Sequence, residues 1–371
     1  MSEGARGNCK LILIFSALLA GCGGGTPGAN EANVQKAGPQ ASARPAPFDW
    51  GNPDGDRNPQ FARSQALCRS VQGSEPPAAD RPDAATAAAL RGCDAEALYY
   101  GIGVARNPER ARLCAFTQTQ NDPLTAFSGR PMLMTIYANG VGARRNLDVA
   151  LHLACTLPNA AAFEYDQRVI HLARLRDTNW QGRDFHYCND ITSGLSDGVC
   201  AAHRYALARP QREATMRRLL ASWTEEERRA FEPLRRAFED FVRASSDGDL
   251  SGGTSASAMR TRLEQGLRDQ FVDMLQKLST GRDPRFTPAQ FRTEDLQLNQ
   301  AYRARLADER EYDAPGTSVE AMQNAQRAWL RYRDAFIAFA RVKYPRVQRE
   351  SLAAWITRNR SEIIPGLNSS L

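Results

Sequence analysis

Thiols and imidazoles are the most reactive side chains in this 371-residue sequence, with eight cysteines and four histidines. The histidines (His152, His171, His186 and His203) are scattered and no CxxC pair occurs, so zinc-ligand spacing is absent. No metal and no cofactor is expected. The stretch from Asp247 begins like a calcium loop, with Asp249, Ser251 and Gly252 in register. Its twelfth position is Ala258, where such a loop needs a bidentate Glu, so it is read as a turn and helix cap. No GxSxG, HExxH or P-loop pattern occurs. Carboxylates are plentiful, but nothing marks out two of them as an acid–base pair. The chain is therefore read as non-catalytic. What remains is thiol chemistry, and that depends on the compartment.

Arg6 and Lys10 lead into an apolar run from Leu11 to Ala20. The run is too short for a bilayer span of about 20 residues and suits the core of a signal peptide. Leu19-Ala20-Gly21-Cys22 resembles a bacterial lipobox. That resemblance implies a signal peptide over 1–21, cleavage before Cys22, lipid on its thiol and acylation of its new amine. Several acyl chains, each contributing about 0.8 kcal/mol per buried methylene, would hold the chain at a membrane. Gly23, where an Asp would signal retention, is similar to Gram-negative outer-membrane lipoproteins and implies an outer-membrane anchor facing the periplasm. Residues 22–58 are rich in Gly, Ala, Pro and Asn and are expected to be a flexible tether.

Six cysteines then remain: Cys68, Cys93, Cys114, Cys155, Cys188 and Cys200. An even number beyond an export signal implies disulfides, all in the first half of the chain. Cys188 and Cys200 flank the turn-rich "NDITSGLSDGV" and are expected to pair, which is worth roughly 3 kcal/mol in the chain-entropy model. The other four allow three pairings.

The stapled half, expected over 59–205, contains a repeat. "LYYGIGVARNPERARLCA" from Leu98 aligns without a gap on "YANGVGARRNLDVALHLA" from Tyr137, placing Gly101 on Gly140, Gly103 on Gly142 and Asn107 on Asn146. A period of this length signals stacked helical units. The pattern resembles the Sel-one-like repeat, over about 93–157, with Leu98 for the family's tyrosine and Ala143 for its valine. That family implies a scaffold binding proteins on a concave face; the plainer reading is that two units complete a helical domain. If the two second helices stack as neighbours, Cys114 meets Cys155, leaving Cys68 for Cys93.

From Trp223 onward the apolar residues keep helical spacing, as at Phe231, Leu234, Phe238 and Phe241, and no alternating strand pattern appears. An all-α fold is expected: a short solenoid-like repeat region, then an antiparallel bundle over 206–371. The net charge of +6 rests on arginine, since only four of 48 basic residues are lysines. Acidic residues run through the arginines, as in "EEERRAFEPLRRAFEDF", so nucleic acid is not an expected partner.

The last part, about 290–365, resembles the lysozyme-inhibitor LprI N-terminal domain family. The resemblance rests on Asp295, Leu298, Asn299 and Tyr302, then Ala325, Gln326, Arg327, Ala328, Trp329, Tyr332, Arg333 and Asp334, then Thr357 and Arg360. It implies a protein partner, with lysozyme inhibited. Trp329 and Tyr332 are expected in the core, and Arg333 and Asp334 with Gln326 and Asn299 in a buried polar tie between helices. An envelope assembly adaptor and a peptidoglycan-processing enzyme are the competing readings; the second lacks a catalytic constellation. Cys22→Ala should leave unprocessed precursor and abolish labelling with a palmitate analogue. Unchanged labelling of that variant would refute the anchor.

Overall fold

The computed structural model describes residues 49–52, 58–118, 126–157, 160–248, 253–312 and 318–364. Cys22, the lipobox and most of the expected tether lie outside the described residues, as do positions 249–252 of the calcium-like loop. The described residues form thirteen α-helices and no strand, so the fold is all-α.

The first seven helices are short: α1 (Ala62–Ser70), α2 (Ala84–Ala89), α3 (Ala95–Tyr100), α4 (Pro108–Thr117), α5 (Gly129–Asn139), α6 (Leu147–Cys155) and α7 (Ala162–Asp177). Isolated helices of this length are marginal in water, so each depends on its neighbours. The aligned glycines show how the neighbours are placed. Gly101 and Gly140 end α3 and α5 in the left-handed conformation (φ 79° and 62°), which costs a residue with a Cβ about 1–2 kcal/mol. The chain returns through Gly103 and Gly142, and Asn107 and Asn146 cap α4 and α6 by accepting from the amides of Arg110 and Val149. The backbone N–H of each asparagine also donates back to a carbonyl of the preceding helix, Asn107 to Leu98 and Asn146 to Tyr137, at 2.7 and 3.0 Å. Two sequence units thus share one hairpin geometry.

The structure bridges Cys188 to Cys200. It corrects the other two pairings: Cys68 is joined to Cys155 and Cys93 to Cys114. The reason is packing order. α5 packs on both α4 and α6, so the second helices are not neighbours and Cys114 cannot reach Cys155. Instead α1 lies on α6 and α7, bringing Cys68 to the end of α6. The tether also ends earlier than expected. Trp50 is buried, stacked on Tyr165, with its indole N–H donating to Ser64 Oγ at 3.0 Å.

The later helices are long: α8 (Gly194–Ala221), α9 (Glu225–Gly248), α10 (Ala256–Ser279), α11 (Pro288–Tyr312), α12 (Val319–Lys343) and α13 (Arg349–Ser361). Two hydrophobic cores result. One runs from Trp50 to Cys200, the other from Trp223 to Ile364. The boundary expected at 205/206 falls inside α8. That helix gives Cys200, Ala201 and His203 to the interior of the first half, and packs Met216, Leu219 and Leu220 on the second core.

In the second core the α9 stripe Phe231, Leu234, Phe238 and Phe241 faces Tyr332, Phe336 and Phe339 of α12, with Phe271 of α10 stacked on Phe238 at 4.0 Å. Capping boxes start α9 and α11. Thr224 and Glu227 exchange backbone-to-side-chain hydrogen bonds, and so do Thr287 and Gln290.

Gly103 and Gly142 are equivalent in the repeat but not in surroundings. A Cβ on Gly142 would collide with the Pro108 carbonyl, whereas one on Gly103 meets nothing within 4 Å. Gly103→Ala should cost about 1 kcal/mol, the price of the positive φ alone. Gly142→Ala should cost at least about 2 kcal/mol more, through backbone displacement. Equal denaturation midpoints for the two variants would contradict this packing.

Candidate functional site

The signature residues of the C-terminal segment divide into an inner and an outer set. α11 and α13 pack on each other, and α12 lies along α9. This arrangement buries Leu298, Ala325, Ala328, Trp329, Tyr332, Thr357 and Arg360, and half-buries Tyr302 and Gln326. Trp329 is 2% exposed. Burial pushes the Tyr332 hydroxyl well above its ordinary pKa, so it stays neutral.

The polar tie is not where the sequence suggested. Asn299 is exposed and donates within its own helix, to the Asp295 carbonyl at 2.8 Å and carboxylate at 3.1 Å. Gln326 receives Arg360 instead, whose Nε donates to its Oε1 at 3.3 Å while the guanidinium lies 5.3 Å from the Phe241 ring. Arg360, 1% exposed, is thus the buried arginine of the signature. Arg333 sits at the rim. Its guanidinium lies over the Trp329 ring at 5.1 Å, 3.4 Å from Asp334 and 3.9 Å from Asp295 on α11. The reason is positional: Trp329 and Arg333 are one helical turn apart, so the ring fills the core while the arginine covers its outer edge.

The outer set is Asp295, Asn299, Arg327, Arg333 and Asp334, and two exposed leucines stand among them. Leu296 is 59% exposed and follows Asp295; Leu330 is 38% exposed and lies one turn from Arg327, Arg333 and Asp334. This mixture of apolar side chains, paired charges and an arginine stacked on tryptophan has the composition of a protein-contact surface. Two stretches are locally acidic, "TEEERRAFE" from Thr224 and "ADEREYD" from Ala307; in the first, Glu227 is spent on Lys343 at 2.9 Å, which holds its carboxyl below the ordinary value. Asp308 is exposed; the side chains of 309–311 and the whole of 313 lie outside the described residues.

Sequence reasoning missed the ion pair of Arg358 on α13 with buried Glu294 on α11, at 3.0 Å. It also missed the partners of the histidines. His152 meets Glu75 at 3.1 Å, His171 meets Asp190 at 3.0 Å, and His186 meets His203 at 3.2 Å. No spacing signal announces contacts between residues so far apart in the chain. Among the described residues no group of three or more His, Cys, Asp or Glu could hold a metal ion, and no helix is long and apolar enough to cross a membrane. A concavity of about 860 Å³ lies in the first half between Arg81, Leu90, Arg91 and Phe116.

Trp329→Ala should remove roughly 3–5 kcal/mol of stability by opening a cavity in the second core. Arg333→Ala, at the rim with partners that water can solvate, should cost no more than about 1 kcal/mol. Thermal melts of the two variants check this. A loss of stability for Arg333→Ala as large as that for Trp329→Ala would place the arginine in the core after all.

Residues 285–362, from just before α11 to the end of α13, match the family model for the lysozyme inhibitor LprI. No curated protein and no solved structure matches the chain. The matched segment is lysozyme-inhibitor-like and points to a protein-binding role.

Proposed function

We propose that the chain is a non-catalytic, lipid-anchored protein of the cell envelope that binds a macromolecular partner through the outer face of α11 and α12, the partner being a lysozyme-type muramidase. The observation that carries this reading is the family match over 285–362, combined with signature residues that face solvent beside Leu296 and Leu330. Core positions of a family signature are explained by packing. Asp295, Asn299, Arg327 and Asp334 lie outside the core, with Asp295 and Asp334 beside Arg333, and recognition is the role we assign to this outer set.

The anchoring half of the proposal rests on the lipobox-like Leu19-Ala20-Gly21-Cys22 and the apolar run before it. It places the protein at the outer membrane, facing the periplasm, with the disulfide-stapled helices of the first half and the bundle of the second held off the surface. An oxidising compartment agrees with three disulfides.

Charge shapes how such an inhibitor works. A chain of net charge +6 approaches a basic muramidase against its field. Affinity therefore has to come from short-range contacts of Leu296, Leu330 and the Arg333–Trp329 stack, and screening the repulsion with salt should speed association rather than slow it. An adaptor function is favoured by a different observation, the paired hairpins of the first half beside a concavity of about 860 Å³ that is lined mostly by α2 and its flanks. In that reading the repeats dock an envelope protein.

A turbidity assay on cell walls separates these. The proposal expects dose-dependent inhibition of muramidase, with faster onset as salt rises from about 20 to 150 mM. A stable partner captured from envelope extract without inhibition would favour the adaptor. Muropeptide release by the chain alone would overturn the non-catalytic reading.

A further inference from the structure

Arg327 and Arg331 stand one helical turn apart on the exposed face of α12, beside Leu330. Like charges at this spacing destabilise a helix slightly, and opposite charges stabilise it. Other helices of the chain follow the favourable rule. Arg209 and Arg217 share Glu213 on α8, and Arg229 has Glu225 on α9. On α12 the rule is broken. Arg327 donates to the neutral side chain of Asn324, and among the described residues neither Arg327 nor Arg331 has a carboxylate partner. The nearby carboxylates are engaged elsewhere: Asp334 and Asp295 lie 3.4 and 3.9 Å from Arg333. Glu320 is exposed two turns before Arg327. The pair has no part in the core, and both guanidinium groups are open to a ligand.

Their spacing fits one kind of target. A muramidase is the partner proposed above, on which this step rests, and glycosidases hold two carboxyl groups across the bond they cleave. These lie about 5–5.5 Å apart in retaining enzymes and about 6.5–9.5 Å apart in inverting ones. Side chains one turn apart on a helix start about 5–6 Å apart at Cβ, and arginine side chains are long enough to spread to either separation. A guanidinium also matches a carboxylate in shape, with two parallel hydrogen bonds.

Charge then no longer opposes the complex at close range. The repulsion between a chain of net charge +6 and a basic enzyme is screened beyond about 8 Å at physiological ionic strength. Inside that distance the cleft is the place where a basic muramidase offers negative charge.

We infer that Arg327 and Arg331 are the inhibitory pair, entering the substrate cleft of the muramidase and binding its two catalytic carboxylates. α12 lies across the mouth of the cleft, and Leu296 and Leu330 exclude water around the charged contact. Polysaccharide and α12 compete for the same carboxylates, so inhibition is competitive.

The test uses the full-length protein and lysozyme, a retaining muramidase. Inhibition should raise KM for cell walls and leave kcat unchanged, and a chitin trisaccharide that occupies the cleft should displace the protein. The double variant Arg327→Ala, Arg331→Ala should melt at the wild-type temperature, because both side chains are exposed. It should nevertheless inhibit at least about tenfold more weakly. Arg341→Ala, which removes a like charge from the exposed last turn of the same helix, should inhibit as the wild type does. A lysozyme with both catalytic carboxylates replaced by amides should bind the wild type and the double variant equally. A complex that still admits the trisaccharide, or a double variant as potent as the wild type, would overturn the inference and leave the muramidase as partner. No complex with lysozyme at all would overturn both.

Discussion

The burial of Trp329 on α12, the helix that packs along α9, is the constraint on which the C-terminal half depends. Phe231, Phe238 and Phe241 on one helix and Trp329, Tyr332, Phe336 and Phe339 on the other recur at helical spacing, and Phe271 of α10 closes the stack. Aromatic side chains of this size contribute most of a core's burial and favour offset or edge contacts that fix helix register. Once Trp329 faces inward, the 3.6-residue period leaves no freedom: Arg333 must lie at the rim above the ring, and Arg327 and Asp334 must face solvent. The same packing that stabilises the bundle therefore sets which signature residues face outward.

The first half solves a different problem. Its helices of 6–16 residues bury less each, and three bridges compensate by restricting the unfolded chain. The largest effect belongs to Cys68–Cys155, which spans 87 residues and is worth about 4.6 kcal/mol in the chain-entropy model. It fastens α1 to α6, while Trp50 donates its backbone N–H to the Cys155 carbonyl at 2.8 Å. The glycine turns fix the direction of each hairpin, and the bridges fix which hairpins meet. α8 belongs to both halves: it carries His203, which meets His186, and it also packs Leu219 and Leu220 on the second core.

Legibility in the sequence followed the range of the interaction. Helices, their glycine stops and their asparagine caps are local, and all-α architecture, the repeat register and the inward aromatic stripe were readable from spacing. Disulfide partners were readable only for Cys188 and Cys200, which are 12 residues apart. Cys155 pairs with Cys68 because α5 stands between α4 and α6, a fact of stacking order that no local pattern encodes. The signature arginines were exchanged for a similar reason. Arg360 enters the core from α13, 34 residues from Gln326, whereas Arg333 looked interior only because it neighbours Trp329. Trp50 was hidden by the composition around it, since proline- and glycine-rich flanks mask a single anchor.

The central claim is that recognition occurs on the outer face of α11 and α12 and uses residues the core leaves free. Hydroxyl-radical footprinting of the full-length protein with and without saturating muramidase tests it most directly. The account predicts protection of Leu296 and Leu330, with Trp329 unreactive in both states because it is already buried. Protection confined to the hairpins of the first half, with Leu296 and Leu330 as reactive as in the free protein, would contradict it.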